Sequence, residues 1–226
     1  MIAAKDEEQT VQEVLLAHLE VLKTLESEIT YEIGILDDGS TDNTLKLIRE
    51  VKRQHPEVMV WSNPVPSGIA DAFAQLAHHA NHQWLYITSA DGQFPSECLR
   101  ILANSWTKDL VTTLGVRTTR KQTYSLRRNL ISNVYRIVTT KVFGIDLVDP
   151  GSVKIIRTQI AKADFLSKST MRDAEQLAIA YRQDGKINFV EIPFNPRLEG
   201  KASGASIPNL VSNLNDAFTI YRRRFN

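Results

Sequence analysis

Two short β-rich runs in this chain stop in the same way, and that constrains the fold more than any other feature. Tyr31-Glu32-Ile33-Gly34-Ile35-Leu36 ends in Asp37-Asp38-Gly39-Ser40, and Trp84-Leu85-Tyr86-Ile87-Thr88 ends in Ser89-Ala90-Asp91-Gly92-Gln93. Between them lie a helix-period segment from Thr41-Asp42 to His55-Pro56, a strand-like Val58–Trp61 and a helical Ile69–His79. Strands alternating with helices predict an α/β fold, with a right-handed, mostly parallel central sheet flanked by helices on both faces. Ligands of such sheets sit beyond the carboxyl ends of the strands, where both acidic clusters fall. Either cluster alone is ordinary turn and capping chemistry. Two at matching strand ends point to a site.

The flanks agree with this layout. Thr10–Glu13 has capping-box spacing ahead of Val14, Leu15, Leu19 and Leu22 on a helical face. Pro95 opens a helix with Leu99, Leu102 and Trp106 inward, and Leu110–Leu114 reads as a strand. The second half is less regular. A basic amphipathic helix spans about Tyr124 to Phe143, followed by a strand near Ser152–Ile156 and a helix near Ala174–Arg182. A strand at Ile187–Ile192 and a helix from about Pro208 to Arg224 close the chain.

At 226 residues, without repeat or linker, a single domain is expected. The net charge of +1 gives no reason to expect a nucleic-acid partner. Cys98 is the only cysteine, so no internal disulfide forms, as suits a reducing compartment. No run reaches the roughly 18–20 apolar residues of a membrane span. Lys5-Asp6-Glu7-Glu8 follows Met1-Ile2-Ala3-Ala4 too closely for a secretion signal. The expectation is a cytoplasmic protein, with peripheral contact at the cytoplasmic membrane face left open. Arg222-Arg223-Arg224 fit either docking on anionic lipid or a solvated helix terminus, and the apolar face Leu130, Ile131, Val134 and Val138 could touch a lipid chain, although core packing is its favoured use.

Ser89, Asp91 and Gln93 alternate, so an extended backbone would aim all three to one side. A hydroxyl, a carboxylate and an amide then form a partial shell for a hard cation, Mg²⁺ or Mn²⁺. Such an ion stabilises a departing diphosphate as a Lewis acid. Asp37 and Asp38 can accept hydrogen bonds from a base and a ribose. Rival phosphate motifs fail: no Gly-x-Gly-x-x-Gly follows a strand, and Gly200-Lys201 has Asn195 and Ala202 where a P-loop needs Gly and Ser/Thr. His78, His79 and His82 sit at a helix end and read as a solvated face.

These residues carry a resemblance. Asp37-Asp38-Gly39-Ser40-Thr41-Asp42-Asn43-Thr44 resembles the signature of family 2 glycosyltransferases of the GT-A fold, and Ile2-Ala3-Ala4-Lys5-Asp6-Glu7-Glu8 resembles that family's opening segment. Ser89-Ala90-Asp91-Gly92-Gln93-Phe94-Pro95 is similar to its Asp-Ala-Asp-Gly-Gln-x-Pro, with Ser89 replacing the first Asp. Gly115-Val116-Arg117 with Arg120, Asp149 to Lys154, and Arg197 to Ser203 resemble segments of the polyprenyl-phosphate branch, which includes dolichyl-phosphate mannose synthase and undecaprenyl-phosphate sugar transferases.

The resemblance implies an inverting hexosyltransferase that moves a sugar from a nucleotide-sugar, GDP-mannose or a UDP-sugar, to a polyprenyl phosphate. It implies a nucleotide-binding half over about residues 1–115 and an acceptor-side half over about 116–226. Asp6, Asp37 and Asp38 would meet the nucleoside; Asp91 and Gln93 would hold the metal and diphosphate. Arg117, Arg128, Arg197, Lys201 and Ser203 would bind phosphates of donor or acceptor. Asp149 would be the base, or a carboxylate near the acceptor. A saccharide acceptor in cell-surface polysaccharide synthesis and a non-catalytic nucleotide-sugar binder are the competing expectations.

Overall fold

A run of Ile, Leu and Asp makes Ile33–Asp38 a strand buried along its whole length, as a central parallel strand must be. The computed structural model describes residues 1–117, 126–183, 186–196 and 207–225, the side chains of 126–132, 207–210 and 224–225 excepted. In chain order the strands are β1 Ile2–Ala4, β2 Ile33–Asp38, β3 Val58–Asn63, β4 Trp84–Tyr86, β5 Thr88–Ser89, β6 Leu110–Arg117, β7 Lys154–Arg157 and β8 Lys186–Ile192. The helices are α1 Val11–Leu25, α2 Thr44–Gln54, α3 Ile69–His79, α4 Glu97–Asn104, α5 Leu126–Phe143, the single turn α6 Thr158–Ala161, α7 Met171–Arg182 and α8 Ile207–Phe225.

One sheet runs β3-β2-β1-β5 with every pair parallel. The other runs β4-β7-β6-β8; β7 is antiparallel to both neighbours, and β6–β8 is parallel. The segment expected as one strand at Trp84–Thr88 breaks at Ile87. Its first part pairs with β7 and its second with β1, where the N–H of Thr88 reaches Met1 O at 3.1 Å and that of Ala90 reaches Ala3 O at 2.8 Å. The two sheets are thus joined through a shared segment.

Strand alternation sorts the core. Ile35 packs with Leu15, Leu19, Ile48 and Leu99 of α1, α2 and α4, while its neighbour Leu36 packs with Leu76 of α3 and Ile160 of α6. A further cluster joins α5, α7 and α8 through Phe143, Met171, Leu177 and Ile220. Among the described residues no helix is long and apolar enough to cross a membrane.

The capping box expected at Thr10 is not made. Thr10 Oγ1 donates to Ala90 O at 2.7 Å instead, tying the start of α1 to the turn after β5. A tertiary acceptor has replaced the local one.

His18 on α1 is 3% exposed, and its Nδ1 lies 2.7 Å from Val14 O. Burial pushes its pKa down to about 4, against the opposing bond to Val14. The unfolded chain therefore binds this proton below pH ~6.5 while the folded chain does so only near pH 4. Stability is complete above pH ~6.5 and falls between there and pH 4, by roughly 3 kcal/mol for this group. Urea unfolding at pH 7 and pH 4.5 should show the loss, and a His18→Gln variant should show a flatter dependence.

Candidate active site

The loops after β1, β2 and β5 meet because β1 lies between the other two, with Ala4 beside Asp37 and Ala3 beside Ser89. The ends of β2 and β5 are therefore two strand spacings apart, about 10 Å.

The first two loops are laced together. Asp6, at φ +53°, accepts the N–H of Thr41 at 2.7 Å, and its own N–H donates to Ser40 Oγ at 2.9 Å. Glu8 Oε2 takes the N–H of Asn43 at 3.0 Å and its Nδ2 at 2.8 Å. Asp42 Oδ1 accepts the N–H of Thr44 at 2.9 Å at the start of α2. Gly39 has φ +68°, and a Cβ there would lie 2.7 Å from Pro66 N, so only glycine lets the two backbones approach so closely.

The paired aspartates differ. Asp38 Oδ1 accepts Asn63 Nδ2, Ser67 N–H and Ser67 Oγ, each at 2.8 Å, and Oδ2 accepts the N–H of Gly68 at 2.8 Å. Burial alone would raise its pKa; the bonds from Ser67, Asn63 and Gly68 outweigh that and lower it. This is the geometry of a loop anchor. Asp37, 1% exposed, takes Ser62 Oγ on Oδ2 at 3.2 Å, while its Oδ1 has no hydrogen-bond partner among the described residues. A buried carboxylate oxygen without a donor is costly, and a ligand N–H or O–H would remove the cost.

At the end of β5 the backbone is not extended as the alternation of Ser89, Asp91 and Gln93 suggested. Gly92 at φ +68° turns the chain. Ser89 and Asp91 still meet, but as partners: Ser89 Oγ donates to Asp91 Oδ1 at 2.8 Å. Gln93 contributes its backbone N–H to the same oxygen at 3.2 Å, and its carbonyl accepts the N–H of Asn195 at 2.9 Å. Among the described residues no group of three or more His, Cys, Asp or Glu side chains is placed to hold a metal. The donor set that the structure brings together is thus one carboxylate with a hydroxyl beside it. That fits Mg²⁺ or Mn²⁺ held largely by substrate phosphates, the usual habit of Mg²⁺, and not an all-protein cage.

Arg117, at the end of β6, is 12% exposed in its side chain and pairs with Asp149, 3% exposed. Its Nε donates to Asp149 Oδ2 at 2.8 Å and its terminal nitrogen to Oδ1. The guanidinium carbon lies 5.0 Å from the centre of the Phe194 ring and 5.9 Å from that of Phe94. Asp149 thus has both oxygens engaged by one cation, the arrangement of a carboxylate that holds an arginine in place. Lys154 is likewise engaged, with Asp173 at 2.8 Å and Pro150 O at 3.2 Å. Arg197, Lys201, Ser203 and the side chain of Arg128 lie outside the described residues.

Sequence reasoning missed Asn63, Ser67, Phe94, Phe194 and Asn195. Asn63 had a signal, since Ser62-Asn63 is another polar strand end. Phe194 and Asn195 had none, because they reach the site only through the β6–β8 pairing.

The family model of glycosyl transferase family 2 matches residues 1–163, which is most of the chain and includes all three strand-end loops. The chain belongs to glycosyl transferase family 2. Family 2 relatives include two dolichyl-phosphate beta-glucosyltransferases of Trichomonas vaginalis. ALG5D is 24% identical over 217 residues, 88% of this chain and 66% of the relative; ALG5A is 25% identical over 209 residues, 86% and 64%. The chain thus spans slightly under two thirds of their length. Among solved structures, glucosyl-3-phosphoglycerate synthase from Mycobacterium tuberculosis with phosphoglyceric acid superposes with a TM-score of 0.71. It is 12% identical and covers 98% of this chain and 80% of its own. The same enzyme with Mn²⁺, UDP and glucosyl-3-phosphoglycerate gives 0.67 at 14% identity, with the same coverage. The fold of this family 2 chain is accordingly the GT-A arrangement.

Proposed function

We propose that this chain is an inverting glycosyltransferase that moves glucose from UDP-glucose to a polyprenyl phosphate. The observation that carries the proposal is the unpartnered buried oxygen of Asp37, at the end of a strand about two strand spacings from the one that leads into Asp91. Asp37 accepts an N–H of the base, Asp6 and Asp38 hold the loops that frame the nucleoside, and the diphosphate reaches the turn of Asp91 and Gln93. Asp91, with Gln93 assisting, would hold Mg²⁺ or Mn²⁺, which supplies positive charge to the departing diphosphate. The family 2 relatives act as dolichyl-phosphate glucosyltransferases, and the structural neighbours bind UDP with Mn²⁺, which supports the choice of sugar, nucleotide and acceptor.

An acceptor phosphate oxygen attacks the anomeric carbon as the bond to the diphosphate breaks, and the configuration inverts. A phosphate nucleophile is already anionic near neutral pH and needs no strong base. Asp149 therefore serves by holding Arg117 for the acceptor phosphate, the role that the family resemblance also assigns to Arg128, Arg197, Lys201 and Ser203. Residues to about 115 then form the donor side and the remainder the acceptor side.

A thermal-shift panel of UDP-glucose, UDP and GDP-mannose with and without Mn²⁺ tests the donor. The UDP ligands should raise the melting temperature, by about 2.7 kcal/mol of stabilisation at a hundredfold excess over Kd. Asp37→Asn should weaken that shift, and a response to GDP-mannose alone would overturn the choice of nucleotide. Transfer from radiolabelled UDP-glucose to polyprenyl phosphate tests the acceptor; label found only in water-soluble product would overturn it.

A further inference from the structure

Hydrophobic side chains stand exposed in a regular row on α8. Val211, Leu214, Phe218 and Tyr221 follow at intervals of three, four and three residues, so they fall on one side of the helix. The other side, with Asn213, Ala217 and Ile220, is buried. α5 adds Val134 and Ile137, also exposed, and Val134 and Leu214 line one shallow cleft between the helices. The two rows are therefore continuous. Phe218 is 63% exposed and Ile137 57%, too much for core residues at a frayed end. A contiguous apolar surface of this kind marks an interaction site.

The charges on the two helices are nearly all of one sign, and Asp146, beside α5, is paired with Arg136. α5 contains no acidic residue, and the only one on α8, Asp216, is turned inward to accept the N–H groups of Lys168 and Ser169. Lys141 follows Ile137 by one turn, and Arg222 sits over the Phe218 ring at 5.7 Å. An apolar row edged by cations is the chemistry of a helix lying in the headgroup region of an anionic bilayer. A symmetric contact with a second copy would bring the same cations together without carboxylates to meet them.

We infer that the α5–α8 face docks the chain on an anionic lipid bilayer, with α8 along the surface. This deepens the proposed function, because a polyprenyl-phosphate acceptor resides in such a bilayer, and α5 follows the strand that carries Arg117.

Flotation with vesicles tests it. The chain should rise with phosphatidylcholine vesicles containing about 30% phosphatidylglycerol at low salt, and not with phosphatidylcholine alone. The double variant Leu214→Glu/Phe218→Glu should stay at the bottom while keeping the wild-type melting temperature and its turnover of a short, water-soluble polyprenyl phosphate. Arg222→Ala and Lys141→Ala should each weaken anionic binding about fivefold. Wild type that fails to float, or a double variant that still floats, overturns the inference. So does a solution dimer that Phe218→Glu converts to monomer, because the row would then be a contact between copies. A chain that floats as described but turns over no short acceptor sustains the docking surface and overturns the proposed function instead.

Discussion

Asp91→Asn should lower kcat by about a thousandfold with little change in melting temperature. The asparagine oxygen can still accept from Ser89 Oγ and the Gln93 N–H, so the turn after β5 keeps its shape while losing its charge. Charge stabilisation of a leaving group is worth several kcal/mol, and each 1.36 kcal/mol is about tenfold in rate. UDP binding should weaken with Mn²⁺ present and stay unchanged without it. A loss of less than tenfold would show that the diphosphate charge is met elsewhere. The companion change Ser89→Asp adds a second carboxylate and should reduce the Mn²⁺ concentration for half-activation by roughly tenfold, since ligand charge count tunes affinity for hard cations.

Asp149→Ala should produce the largest loss of stability at the site. It leaves the Arg117 guanidinium largely buried without the carboxylate that takes its bonds, at a cost of about 3–5 kcal/mol. For a chain of this length that is a fall on the order of 10 °C in melting temperature. Arg117→Ala should behave similarly, since Asp149 then loses the buried cation that meets both its oxygens. The double variant Arg117→Met/Asp149→Asn removes both charges while keeping a side chain that tolerates the φ of +43° at position 149, and should recover much of the stability because no buried charge is then left unpaired. Activity should not return with it. If it did, Arg117 would have no part in handling phosphate, and the pair would be structural alone.

The strand ends were legible because a β-run that halts in Asp and Gly has few places to go in an α/β sheet, and the sheet between them followed. What was not legible depends on φ angles or on distant partners. Asp37 and Asp38 look alike in sequence, yet strand alternation turns them to different neighbours, Ser62 for one and the loop at Ser67-Gly68 for the other. The spacing of Ser89, Asp91 and Gln93 suggested an extended backbone, and Gly92 turned it. Asp149 and Arg117 lie 32 residues apart, and no spacing rule pairs them. The direction of β7 was equally hidden, because a short apolar run fits an antiparallel place as well as a parallel one.

The break at Ile87 also sets an order of assembly. Thr88–Ser89 finds its partner in Ile2 and Ala3, which a growing chain has long since made, so β3-β2-β1-β5 has every strand in hand by residue 89. Trp84–Tyr86, two residues earlier, has to wait for Lys154–Arg157, and β6 waits longer still for Lys186–Ile192. Pairings that span so much chain are slow to close. A nascent chain thus holds the β3-β2-β1-β5 sheet ready while the strands beside it stand open at Trp84 and Leu85, and the interval between residues 89 and 192 is when this protein most needs protection from other unpaired strands.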